Sequence, residues 1–382
     1  MSGSSDVNLK QNIRKFEYPQ CAQEALKKIA ELLCGRVPSI KSMDLALDLM
    51  AEFVFYEVDR RGNKRTQPLS NLTELKLLTI LFEFLNNIPN ETSRNTLFLN
   101  LFSPITANLR LGLLSKLVSL AVGIPSSAIL ASASAWMQQL GNTSSASCKL
   151  AEALVFDYVH LAPDPKETLL GLPTIAPEFT ANFLTAMAEN YYVRKEKIFP
   201  PQVLLKCVTE WLTTNVGLCM SAQTRPPVLP PGAIAMEATT PFAGLLRWCV
   251  LAPIHRQTQE IYSELYLALL NSIADIPGAD PPRAINVQHL TALVHPLLLH
   301  LEAVRGGEEA GLNEVLPEEV LQLALDRLGQ AVQVSISVNA VYGHLDELFS
   351  ALSRLPGNKL LGIVISKYKE GKGAPAVSII ID

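Results

Sequence analysis

The strongest constraint in this chain is the recurrence of leucine and other apolar residues at steps of three and four, from one proline-marked joint to the next. In "LTELKLLTILFEFL", Leu75, Leu78, Phe82 and Leu85 fall on one side of a helix, and Leu77, Leu81 and Phe84 widen the stripe. That pattern predicts a helix buried on two sides. Leu321, Leu325, Leu328 and Val332 repeat it, with Gln322, Asp326, Arg327 and Gln330 left for water or a partner. Leu345, Leu348, Leu352 and Leu355 repeat it again in "LDELFSALSRLP", which Pro356 and Gly357 should stop. In "PPQVLLKCVTEWL", Val203, Cys207 and Trp211 share a face with Leu204 and Val208, behind prolines where a helix would begin.

Between the runs lie short breakers: "IPNETS", "GIPSS", "LAPDPKE", "GLPTIAP" and "IPGADPP" hold many of the 25 prolines. Helix, short turn, helix is the rhythm of an all-α fold, an irregular α-solenoid or stacked bundle of HEAT-like helix pairs. No regular period of the tetratricopeptide or ankyrin kind is present. Strand signals are confined to "LLGIVIS" (360–366) and "AVSIIID" (376–382), which are branched but lack hairpin partners. Within "HLTALVHPLLLHL", Pro296 should kink or break a helix. The expected organisation is a loosely ordered or disordered N-terminus over 1–20, a helical domain over 21–220, a proline-rich linker over 221–241, a second helical domain over 242–366 and a tail over 367–382. Loops are expected at "DRRGNKRTQP" (59–68) and at the acidic "RGGEEAGLNEVLPEE" (305–319).

Composition narrows the function classes. Hydrophobic residues make up 48% of the 382 and charged residues 18%, enough apolar material for a sizeable core. The formal net charge of −4 gives no overall reason to seek nucleic acid, and direct contact with it is not expected. The polar start "MSGSSDVNLKQNIRK" lacks the apolar core of a signal peptide, and no run approaches the ~18 apolar residues of a membrane span. Cys21, Cys34, Cys148, Cys207, Cys219 and Cys249 form no CxxC pair, and no disulfide framework is expected. Asn71, Asn90 and Asn142 each begin an N-x-S/T triplet, expected to be inert without secretion.

One stretch, "FAGLLRWCVLAP" (242–253), sets Arg247, Trp248 and Cys249 side by side in an apolar run. Read as a helix, it turns Leu245, Cys249 and Trp248 inward and leaves Arg247 towards a rim or a partner. Cys249 lacks a neighbouring base and a protease signature, so it is read as a core cysteine, like Cys207. His289, His295 and His300 stand six and five residues apart, spacings that do not bring imidazoles onto one helix face, so no metal is expected. "GGEEAGLN" lacks the Lys and Ser/Thr of a phosphate loop, and its glutamates would repel phosphate. Glu308-Glu309 and Glu318-Glu319 read as solvated or helix-start carboxylates. The residues point to no enzyme and no cofactor. Arg60, Arg61, Lys64 and Arg65, and again Lys367, Lys369 and Lys372, form short basic clusters that suit a solvated loop, a nuclear-import signal or a phosphate contact.

"GLLRWCVLAP" resembles a signature of the family of the fifteenth subunit of the Integrator complex, and other stretches agree in order along the chain. "AEFVF" (51–55) precedes "LTELKLLTILFEF" (72–84), and "LFSP" (101–104) precedes "LGLLSKLVSLAV" (111–122). "PPQVLLKCVTEWL" (200–212) comes before the motif; "LALDRLGQAVQV" (323–334) and "LFSALSRLPGNKLLGIVIS" (348–366) follow it. The resemblance runs over roughly residues 45 to 366. The chain departs from the family pattern in a short "LAPIHRQTQEIYSELY", where a longer basic insertion is expected, and in lacking a Pro/His-rich tail.

The resemblance implies a nuclear, non-enzymatic helical scaffold, working in small nuclear RNA 3′-end processing and in attenuation of RNA polymerase II transcription. It also implies a tether between the module of the tenth, thirteenth and fourteenth subunits and the rest of the complex. Partner contacts are expected on the last helices, at Arg327 and Arg354, and at Arg247 and Trp248 if the motif has an exposed edge. On the residues alone, a generic adaptor of another assembly and an RNA-binding helical-repeat protein remain alternatives.

Overall fold

The computed structural model describes residues 3–373 except 36–37, 68, 105, 162–164, 193–197, 238, 256, 258–259, 275–284 and 307–316. "AVSIIID", "GGEEAGLN" beyond Gly306 and most of the acidic 305–319 stretch lie outside the described residues. The fold is all-α, and the chain divides into two compact units, each drawn from more than one stretch of sequence.

The first unit comprises residues 1–164, 174–179 and 226–238. It holds α1 (Gly3–Ile13), α2 (Gln20–Cys34), α3 (Ile40–Leu49), α4 (Asn71–Asn86), α5 (Glu91–Leu101), α6 (Ala107–Gly123), α7 (Ser127–Leu140) and α8 (Ser145–Phe156). Side chains placed just outside the helices start several of them. Ser39, Ser70, Asn90, Ser126 and Ser144 accept from the backbone N–H three residues on, each satisfying an orphan donor of a first turn. Asn90 is thus used as a cap, and Asn142 is buried, so two of the three N-x-S/T triplets have structural roles.

The stripe of α4 is rotated from its expected position. Leu77, Ile80, Leu81 and Leu85 are buried, whereas Leu75 is 61% exposed. Leucines crowd both faces of this helix, so period alone does not say which face meets α2, α6 and α7. α3 runs on into a wider π turn, Met50–Val54, after which Tyr56 takes a positive φ of 54°. This path sets two carboxylates inward. Glu52 accepts from Arg14 Nε at 2.7 Å, and Glu57 takes a two-point bond from Arg110, both at 2.7 Å. The Arg110 guanidinium lies 3.9 Å from the Phe55 ring centre and donates to the Leu101 carbonyl at 2.6 Å. The proline-rich return of 226–238 is fixed to this unit by hydrogen bonds: Asn95 Nδ2 donates to Val228 O at 2.7 Å, and Met236 N to Gln138 O at 2.9 Å.

The second unit comprises residues 165–173, 180–225 and 239–382. It contains α9 (Pro165–Leu170), the greater part of α11 (Pro177–Ala188), α12 (Gln202–Thr214), α13 (Ser221–Thr224) and α14 (Phe242–Ile254). It continues with α15 (Glu260–Ala274), α16 (Val287–Gly306), α17 (Glu318–Ser337), α18 (Leu345–Leu352) and α19 (Lys359–Gly373). The short α10 (Leu172–Ile175) lies where the chain passes between the two sets. A two-residue parallel pair, β1 (Ile285–Asn286) with β2 (Val341–Tyr342), is the sheet among the described residues. α12 starts directly after Pro201 and buries Leu204, Cys207, Val208 and Trp211, the last donating to Leu169 O at 3.0 Å.

Two expectations are corrected here. α16 is not broken at Pro296: the ring removes one helical hydrogen bond, but Leu293, Val294 and Leu297 on either side are all buried, and their packing carries the helix through. "LLGIVIS" is helical, in the first half of α19, with Leu361 and Val364 buried three residues apart, a helical rather than a strand period. Among the described residues no helix is long and apolar enough to cross a membrane.

Candidate functional site

All of α14, Phe242 to Ile254, is buried, which gives the "RWC" motif its meaning. Pro253 lies inside the helix, four residues after Cys249. A proline has no N–H, so the Cys249 carbonyl is left without its helical donor. Arg327 of α17 fills the gap: its Nη1 donates to Cys249 O at 2.6 Å. Its Nη2 donates to Ser263 Oγ on α15 at 2.8 Å, and the guanidinium lies 5.6 Å from the Tyr266 ring centre. Tyr266 returns the contact, its hydroxyl donating to Arg327 O at 2.9 Å. One guanidinium thus joins three helices.

The other side of α14 closes the end of α11. Arg247 Nη2 and Trp248 Nε1 both donate to Ala188 O, at 2.8 and 3.2 Å, satisfying one of the carbonyls that a helix C-terminus leaves open. Arg247 also reaches the Glu189 carboxylate at 3.4 Å, and Tyr191 packs edge-on against Trp248 at 5.3 Å. Gly244 permits the approach, since a Cβ there would stand 2.7 Å from Ala188 Cβ. Beside this contact the hydroxyls of Tyr192 and Tyr262 meet at 2.8 Å, and Phe199 and His255 pack on the Tyr192 ring.

Arg247 therefore does not lie at a rim: it is 9% exposed and turned to the α11 terminus. Arg327, expected to face water or a partner, is 7% exposed, because the orphan carbonyl of Cys249 draws it inward. The structure brings Arg247, Trp248 and Arg327 together around α14, while Arg354 is exposed in the turn after α18. Ser263, Tyr266, Ala188 and Tyr191 complete the hub and were not singled out in the sequence. One signal could have found part of it: a proline four residues after Cys249 marks a carbonyl in need of an outside donor.

The chemistry of the hub is that of a fastener. Burial pushes the Cys249 thiol up to about 12, against a smaller pull downward from Arg327, and burial likewise pushes Cys219 up to about 12. A thiol held protonated is a poor nucleophile. Burial also raises the Tyr192 and Tyr266 phenols well above their ordinary range. Of the histidines on α16, His289 is half-buried and His295 exposed, and the His300 side chain lies outside the described residues. Among the described residues no group of three or more His, Cys, Asp or Glu stands ready to hold a metal.

The basic clusters lie elsewhere. Lys367 and Lys369 are exposed on α19, and the Lys372 side chain is outside the described residues. Arg60, Arg61 and Lys64 are exposed, while Arg65 lies over the Tyr56 ring with its Cζ 4.2 Å from the centre. The loop turns on Asp59, whose carboxylate accepts from Arg61 N, Asn63 N and Asn63 Nδ2. The bonds from Asn63, chiefly, hold that carboxyl below the usual range.

Comparison with known proteins bears on the whole chain. The family model of Integrator complex subunit 15 matches residues 7–357. The Drosophila melanogaster protein named Integrator complex subunit 15 is 33% identical over 384 residues, an alignment covering 97% of this chain and 100% of the relative. The Homo sapiens protein of the same name is 30% identical over 352 residues, covering 84% of this chain and 77% of the relative. The Danio rerio protein is 30% identical over 353 residues, covering 84% and 71%.

Proposed function

We propose that this chain, which belongs to the Integrator complex subunit 15 family, is a non-enzymatic scaffold subunit of that assembly in the nucleus. In this reading it tethers a peripheral module of the tenth, thirteenth and fourteenth subunits to the rest of the complex. Its work is in small nuclear RNA 3′-end processing and attenuation of RNA polymerase II transcription. The observation that carries the reading is the family match over residues 7–357, in a chain similar to a subunit of a multi-protein complex along nearly its whole length.

The geometry supports a binding rather than a catalytic role. Arg247 and Trp248 donate to the Ala188 carbonyl, Arg327 donates to the Cys249 carbonyl, and Cys249 is kept as a neutral thiol. Helix pairs that bury their stripes against neighbours present their outer ridges to partners. Arg354, exposed beside the last helices, is the proposed partner contact on that side. Arg247, Trp248 and Arg327 would act indirectly, by setting the helices that carry the surface.

The test is affinity purification of the tagged chain from nuclear extract at moderate salt, followed by cross-linking mass spectrometry. The reading predicts recovery of Integrator subunits, with cross-links to the tenth, thirteenth or fourteenth and to at least one subunit outside that module. Recovery of an unrelated assembly, or of RNA without Integrator proteins, would refute it.

A further inference from the structure

The first unit carries an open cleft of about 680 Å³ between the 59–67 loop and the start of α4. Three cations line it: Lys64, Arg65 and Lys76. Among the described residues none of the three forms an ion pair, while Lys10, Arg14 and Arg110 of the same unit all do. The one carboxylate in the lining, Asp59, is tied into its own turn by three hydrogen bonds and, though it feels the charge of Arg65, forms no ion pair with it.

The cleft is built rather than incidental. The π turn after α3 and the left-handed backbone of Tyr56, a conformation rare for an aromatic residue, swing the Tyr56 ring to where Arg65 covers it at 4.2 Å. Tyr18 packs edge-on against that ring at 5.2 Å and donates its hydroxyl to Thr73 O of α4, joining the two walls. Arg65 is thereby held in place, and Lys64 and Lys76 are free in solvent. Leu72, 63% exposed, adds an apolar patch to the same lining.

We infer that this cleft docks a short acidic segment of a partner protein, its Asp or Glu carboxylates meeting Lys64, Arg65 and Lys76 and an apolar side chain resting on Leu72. This deepens the scaffold reading and rests on it for the existence of protein partners. Charge complementarity selects the ligand: three unpaired cations in a concave site draw carboxylates and repel basic segments. RNA fits less well. The Tyr18 and Tyr56 rings pack on each other and Arg65 covers Tyr56, so the rings do not stand free to stack with bases.

The experiment is fluorescence anisotropy on the full chain, with a fluorescein-labelled hexapeptide Asp-Glu-Leu-Asp-Glu-Leu and its Asn-Gln-Leu-Asn-Gln-Leu counterpart. The acidic peptide should bind, the neutral one should not, and added salt should weaken binding. The double variant Lys64→Glu/Lys76→Glu should weaken it by about tenfold or more, because each change turns attraction into repulsion. Both side chains are exposed, so the melting temperature should not move. No binding of the acidic peptide, binding indifferent to the double variant, or a labelled oligouridylate bound more tightly through the same lysines would each overturn the inference. Co-purification of the wild-type chain with Integrator subunits separates the two claims. If it succeeds while the peptide fails, the cleft assignment alone falls; if it fails, the scaffold reading falls first.

Discussion

Replacing Arg327 with methionine should loosen the second unit in a way that a change at Pro253 can repair. Methionine keeps much of the apolar stem but removes every donor. The Cys249 carbonyl, which Pro253 cannot serve, then stays buried without a partner, at a cost of ~1–3 kcal/mol. Losing the bond to Ser263 adds about 1 kcal/mol. A total of about 3 kcal/mol corresponds to a fall in melting temperature on the order of 6–12 °C for a unit of this size. Pro253→Ala restores an N–H four residues after Cys249, so in that background the same Arg327→Met change should cost about 1–2 kcal/mol less. Hydrogen exchange over α14 and α17, together with thermal melts of the four proteins of the cycle, reads both numbers. An Arg327→Met penalty equal in the parent chain and in the Pro253→Ala background would refute the orphan-carbonyl reasoning, whatever the size of the penalty.

Glycines provide a matched pair of opposite sign. Gly244→Ala forces a methyl to within 2.7 Å of Ala188 Cβ and should cost ~1–3 kcal/mol, whereas Gly112→Ala on the exposed face of α6 meets nothing within 4 Å and should gain about 1 kcal/mol in the same melts. The cysteines should divide by burial. In the folded chain at pH 8, maleimide followed by peptide mapping should label Cys34 and Cys148 well before Cys219 and Cys249, whose raised pKa leaves about one part in 10⁴ as thiolate. The same two thiols give a pH dependence. Their folded pKa lies above the ordinary value of 9.0, so their contribution to stability is complete below about pH 9 and is lost as pH rises towards 12. Urea midpoints should therefore fall over that window, and less so in a Cys219→Ala/Cys249→Ala variant; identical slopes would contradict the assignment.

Much of the fold was legible because the period of the apolar residues is itself the signal. Leu321, Leu325, Leu328 and Val332 are buried as their spacing requires, and α12 begins where its prolines place it. Polar residues were harder to read. Arg327 falls among the solvent positions by period, yet a carbonyl 78 residues away in sequence pulls it inside, and periodicity carries no trace of that distant partner. α4 misled for a related reason: with leucine on two faces, the buried one is chosen by its neighbours, and Leu75 stays out. The return of the proline-rich stretch to α5 and α7 depends on two hydrogen bonds, Asn95 to Val228 and Met236 to Gln138, which leave no pattern in composition. The basic loop was visible as charge, but not the cleft. Its walls depend on the positive φ of Tyr56 and on Tyr18 reaching Thr73 from the turn between α1 and α2.

The central claim is that the chain is a tether, and the most direct measurement is sedimentation of nuclear extract after acute depletion of this protein. Gradient fractions would be probed for the tenth, thirteenth and fourteenth Integrator subunits and for a subunit outside that module. If the chain is the tether, the three shift together to a lighter fraction, away from the remaining complex, and rejoin it when wild-type chain is added back. Their continued co-sedimentation with the rest of the complex in the depleted extract would contradict it.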